Sequence, residues 1–117
     1  MRASPRFDSI EDRLDAPPAP VVVYDKLPAQ SAHHWRYTAF GPDGWLYVAV
    51  GAPCNICEPP AGGAQIRRID PASGRSEVVA LGVRNSIGFD WYPATRELWF
   101  TDNGRDWAEA DRVPDEL

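Results

Sequence analysis

The sequence predicts an all-β protein, a partial β-propeller of about two four-stranded antiparallel blades, and three observations carry that expectation. The 117 residues include 12 prolines and 9 glycines, which break the chain into short apolar runs and favour strands and turns over long helices. From Tyr37 onward these runs pair into hairpin-like segments. The hairpin punctuation then returns: Pro42 and Pro93 lie about 51 residues apart, close to the roughly 40–50 residues of one propeller blade.

Taken in order, residues 1–20 read as a loose or docked arm. Ile10 and Leu14 fall on one face of a helical turn after Ser9, and Asp15-Ala-Pro-Pro-Ala-Pro20 stops any helix there. The rest, 21–117, reads as the partial propeller. Val21-Val-Val-Tyr24 is a β-branched and aromatic run that suits a strand, followed by a loop over about 28–34. Tyr37–Phe40 and Leu46–Val50 flank Gly41-Pro-Asp-Gly44, where proline presets a turn dihedral and glycine accepts positive φ. Gln65–Asp70 and Ser76–Leu81 flank Pro71-Ala-Ser-Gly74 in the same way. One blade is therefore expected over about 37–81, and the next from about 86. Its first hairpin would be Ile87–Tyr92 and Leu98–Thr101 around Pro93-Ala-Thr-Arg96. If that last turn needs positive φ, Arg96 costs on the order of 1 kcal/mol. At about 45–50 residues per blade, the chain is too short to close a ring and reads as a fragment.

Composition excludes several classes. With 12 basic and 17 acidic side chains, the net charge is −5, which argues against a nucleic-acid partner, because that affinity comes from lysine and arginine displacing counterions. No apolar stretch approaches the roughly 18 residues of a membrane helix. The first residues, MRASPRFDSIEDRLD, hold no apolar core of a signal peptide. Cys54 and Cys57 form a lone C-x-x-C that cannot complete a four-ligand zinc site. A structural cystine or two quiet thiols is the expectation, rather than a catalytic pair.

PPAPVVVYDKLP, GPDGWLYVAVGAPCNICE and GVRNSIGFDWYPATRELWFTDNGRDW together resemble the glucose/sorbosone dehydrogenase family of quinoprotein β-propellers, over roughly residues 8–117. The resemblance implies a six-bladed ring, pyrroloquinoline quinone with calcium, a sugar or polyol-derived substrate and an external electron acceptor. It also implies a periplasmic or secreted setting. The reaction would oxidise a sugar hydroxyl or hydrated aldehyde by histidine-assisted hydride transfer to the quinone. Two alternatives stand beside it: a non-catalytic propeller segment acting in protein–protein assembly, and a piece of a calcium-dependent lactonase-type propeller hydrolase.

The resemblance also names residues. The family's general base lies in H-H-G-W-R-Y, whereas this chain reads His33-His34-Trp35-Arg36-Tyr37, one glycine short. The base falls to His33, with His34 as substitute. From the residues alone, both are ordinary polar loop histidines. Arg84 and Asn85 match the family's R-N pair that meets the quinone, a task suited to a permanently charged planar fork of donors. Asp102, Asn103 and Arg105, in the loop after the last strand, would line the cofactor mouth. Asp102, Asp106 and the Asn103 amide oxygen could also hold a hard cation, although Asp-Asn-Gly is common turn chemistry. The calcium ligands are expected mostly outside this chain. The five tryptophans read as packing between blades, with Trp107 the one candidate for stacking on a sugar.

Overall fold

Leu46-Tyr-Val-Ala-Val50 is apolar at every position, and a strand with that pattern is stable only when both of its faces are covered. The computed structural model, which describes residues 2–106 and 115–117, places it accordingly. Among the described residues, eight strands occur in chain order: β1 (Arg2–Arg6), β2 (Val21–Leu27), β3 (Thr38–Phe40), β4 (Leu46–Val50), β5 (Gln65–Ile69), β6 (Ser76–Leu81), β7 (Phe89–Trp91) and β8 (Leu98–Phe100). They form three antiparallel sheets: β1-β2, β3-β4-β5-β6 and β7-β8. No helix among the described residues is long and apolar enough to cross a membrane.

The four-stranded sheet is the middle layer, and the alternation of side chains along β4 decides what lies on each side. Val48 and Val50 join Leu27 and Ile69 in one buried cluster, with Leu46, Val23 and Tyr24 packed against it, so β2 covers that face. Tyr47 and Ala49 point the other way, into a cluster with Ile66, Val83 and Phe89 that is bordered by Trp91, Leu98 and Phe100. Thus β7 and β8 cover the second face. Tyr47 and Trp91 meet edge to face at 4.9 Å, a favoured arrangement of aromatic quadrupoles. At the sheet edge, Arg68 lies opposite Glu77 in the β5–β6 register. It donates to Glu77 at 2.6 Å and to Asp43 at 2.9 Å, and its guanidinium lies over the Trp45 ring.

The three hairpins read from proline and glycine punctuation are present as β3–β4, β5–β6 and β7–β8. Within residues 1–20, β1 pairs with β2 from Arg2↔Leu27 to Arg6↔Val21. A short 3-10 turn occupies Ile10–Asp12. The guanidinium of Arg6 donates to the carbonyl of Pro71 at 2.6 Å, which fastens this first sheet to the β5–β6 turn.

The all-β class holds, but the partial propeller does not. The sheets are separate and unequal, with two, four and two strands, and none closes or curls into a propeller. The segment from residue 86 makes a two-stranded hairpin where a second four-stranded blade was expected. Proline-glycine turn punctuation sets hairpins locally, and the same hairpins serve a stack of sheets as well as a ring, so the repeat distance did not discriminate. The tryptophans divide too. Trp45 and Trp91 pack on the core, whereas Trp35 and Trp99 are exposed. Trp107 lies outside the described residues.

Candidate functional site

At one end of the middle sheet, the connections after β4, β6 and β8 converge. Backbone bonds stitch them: Ala52 N donates to Arg84 O at 2.7 Å, Ala64 N to Gly51 O at 3.2 Å, and Asn103 N to Asn85 O at 3.3 Å. Asp102 closes the junction with its side chain. One carboxylate oxygen accepts the Arg84 N–H at 3.0 Å and the other accepts the Asn85 N–H at 2.8 Å. Two successive amides on one carboxylate form a charge-assisted clasp.

Arg84 is the hub of this end. Its Nε donates to Asn55 O at 3.1 Å, its Nη1 to Asn103 O at 3.0 Å and its Nη2 to Asn55 Oδ1 at 2.6 Å. A planar fork of donors suits this work, since three acceptors on two loops are met by one rigid group. The side chain is only 15% exposed, and its ion-pair contact with the mostly exposed Asp106 is long, at 4.0 Å. Asn55 also joins Asp106 directly: its Nδ2 donates to Asp106 O at 2.9 Å, and Asp106 N returns a bond to Asn55 Oδ1 at 2.9 Å. Asn55 sits between Cys54 and Cys57, which are bridged as a cystine.

A cavity of about 400 Å³ opens beside this hub. Ala52, Ile56, Pro59 and Ala64 supply its apolar lining. Asn55, Glu58, Arg84 and Arg105 supply the polar groups. Arg84 and Arg105 also border a smaller recess with Asp102, Asn103 and Glu116. The structure therefore brings Arg84, Asn85, Asp102, Asn103 and Arg105 together, as a group, at one sheet end. It adds Asn55, which no motif in the sequence marks as a partner.

The histidines separate. His33 holds left-handed backbone, φ 46°, and its Nδ1 lies 2.7 Å from Ala52 O. A carbonyl only accepts, so Nδ1 carries the proton and Nε2 is the acceptor of the neutral ring. Gln30 braces this contact by donating to His33 O at 3.2 Å and Gly51 O at 3.0 Å. His33 thus reaches the loop end through Ala52. His34 is exposed, contacts Ser31 O at 3.2 Å, and borders a different cavity with Arg36, Ser4 and Leu27.

Among the described residues, no group of three or more histidine, cysteine, aspartate or glutamate side chains is placed to hold a metal ion. Asp102, one of the two carboxylates named for a hard cation, has both oxygens engaged by backbone amides.

No family model matches the chain. The chain is 42% identical over 98 residues to an uncharacterized protein of Borreliella burgdorferi, an alignment that covers 81% of this chain and 26% of that protein. It spans about a quarter of the length of the relative it matches. The glucose/sorbosone dehydrogenase resemblance is overturned by the three unclosed sheets. The six-bladed architecture and the quinone-dependent sugar dehydrogenase reading fall with it, because the mouth of a ring is what was to assemble that chemistry. The two alternatives, a lactonase-type propeller hydrolase and a propeller assembly segment, rested on the same ring and fall as well.

Proposed function

We propose that this chain is a small-molecule-binding module whose ligand is a hydroxylated organic acid, seated in the cavity beside Arg84. One observation carries the reading: Arg84 and Arg105 stand in the wall of a cavity of about 400 Å³ whose lining is otherwise largely apolar. Pockets of roughly 300–1,000 Å³ with a few placed polar groups on an apolar lining are the usual form of ligand sites. Guanidinium groups select carboxylates there, because they remain charged and offer paired donors. Glu58 and the Asn55 side chain present acceptors and donors to hydroxyls. Calcium and pyrroloquinoline quinone enter no part of this reading.

Isothermal titration with gluconate, benzoate and glucose tests it. Binding of the two acids with no heat from glucose is expected, with gluconate the tighter. Replacing Glu58 by glutamine removes a like charge from the exposed rim and tightens acid binding several-fold. Equal binding of glucose and gluconate, or loss of acid binding in Glu58→Gln, overturns the reading.

A further inference from the structure

The Cys54–Cys57 bridge encloses Asn55, the residue through which Arg84 grips the 102–106 connection. Among the described residues, every hydrogen bond of residues 53–59 passes through Asn55. No strand or helix runs through this segment. Among the described residues, its hydrogen-bonding support is therefore the four bonds of one asparagine, beside the covalent bridge. Cys57 is exposed and Cys54 half-buried, so an external thiolate can reach the bridge from the Cys57 side.

We propose that Cys54–Cys57 is a thiol–disulfide exchange site for an external dithiol, and that its reduction releases the Asn55–Arg84–Asp106 clamp. The inference stands on the clamp and does not require the organic-acid reading. In the forward step, a thiolate of the dithiol attacks Cys57 Sγ, a mixed disulfide forms, and Cys54 leaves as a thiolate that takes up a proton. The second thiol of the reagent then attacks the mixed disulfide. Cys57 departs as a thiol and the reagent is left as a cyclic disulfide, so two electrons and two protons enter the protein. The reverse reaction with an oxidised dithiol restores the bridge.

The consequence follows from chain entropy. While the bridge is closed, Asn55 is held near its bonding position before any hydrogen bond forms. Once it opens, the same four bonds must also order the freed segment. For so short a loop, the lost constraint corresponds to roughly a tenfold to twentyfold shift toward the unclamped state. The folded sheet does not depend on this segment, because β4 and β5 are held by their own ladder and by the two apolar clusters. Reduction thus acts on one end of the molecule.

Amide hydrogen exchange of the full chain, oxidised and after reduction by dithiothreitol, reads the effect directly. The amide of Asp106, which donates to Asn55 Oδ1, is expected to exchange about tenfold to twentyfold faster in the reduced form. The amides of β4 and β5 should keep their rates, and reoxidation should restore the slow exchange. The Cys54→Ser/Cys57→Ser double variant should match the reduced chain. In Asn55→Ala, exchange at Asp106 should be fast in both redox states. Unchanged exchange on reduction overturns the proposal. So does acceleration that extends through β4 and β5, which would make the bridge a staple of the whole fold. A redox difference that survives at Asp106 in Asn55→Ala also overturns it.

Discussion

Gly74 and Arg96 occupy the same position of the same turn. Gly74 N donates to Asp70 O at 2.8 Å and Arg96 N to Tyr92 O at 2.7 Å, while Asp70 N and Tyr92 N bond Arg75 O and Glu97 O at 2.8 and 2.9 Å. Both residues are left-handed, φ 72° for the glycine and 61° for the arginine. The β7–β8 hairpin therefore places a side-chain-bearing residue where the β5–β6 hairpin places glycine.

Arg96→Gly is expected to stabilise the fold. A non-glycine residue in this region costs about 1–2 kcal/mol, and glycine returns part of that gain through its freer unfolded chain. A net gain of about 0.5–1 kcal/mol should appear as a higher urea midpoint at unchanged slope. An unchanged midpoint would show that the Arg96 side chain offsets its backbone.

Gly74→Ala should do the opposite, and by more. A Cβ there would lie 2.5 Å from the carbonyl oxygen of Val23, a backbone atom of β2, in addition to the positive φ. The strain and the displaced strand together should cost more than about 1 kcal/mol. Faster amide exchange in β2 than in β5 would locate the damage at the contact between the first and second sheets. A fully wild-type denaturation curve would contradict the close approach.

Gly51→Ala should dislodge His33. The added Cβ would fall 2.6 Å from His33 Cβ and within 3.3 Å of the Arg84 carbonyl, so the histidine loop must move. A cost of about 1–3 kcal/mol is expected, together with loss of the His33 Nδ1–Ala52 hydrogen bond. The imidazole nitrogen shifts in an NMR spectrum would report that loss, and unaltered shifts would count against it.

Acid should weaken the fold in a defined window. The hydrogen bonds from Arg68, foremost, and from Arg75 hold the Glu77 carboxyl below its ordinary range. For Asp43, partial burial pushes upward, but the Trp45 amide, the Tyr47 hydroxyl and Arg68 outweigh it and leave the carboxyl lowered. Carboxyls depressed in the folded state contribute stability that is fully present above their unfolded values, about 3.9 for Asp and 4.3 for Glu. That stability is lost as pH falls through the folded values. Urea midpoints should be flat from neutrality to about pH 5 and then fall. Glu77→Gln should shrink the fall, and so should added salt, because both partners are near the surface. An identical acid limb in Glu77→Gln would remove this pair from the account.

The hairpins were legible because their signals are local. Pro71-Ala-Ser-Gly74 and Gly41-Pro-Asp-Gly44 encode turn dihedrals within a few residues, and the apolar runs beside them mark the strands. β1 was less legible. Arg2–Arg6 has no strand pattern, and it pairs because β2 presents an edge to it. The loop cluster was not legible from the residues themselves: Arg84, Asn85, Asp102, Asn103 and Arg105 were named through the family resemblance, and Asn55 was not named at all. Its bonds to Arg84 and Asp106 span 29 and 51 residues, and no short-range pattern reports such a meeting.

By itself, then, the sequence determined the all-β class and the three hairpins with their turns, since each follows from backbone preferences and side-chain alternation over a few residues. Tertiary structure alone decided how many strands joined each sheet, which layers covered Leu46–Val50, that no ring closed, and that Arg84 met Asn55. Those outcomes depend on which apolar faces and unpaired edges find one another across long separations, and a repeat of hairpins is compatible with more than one such solution.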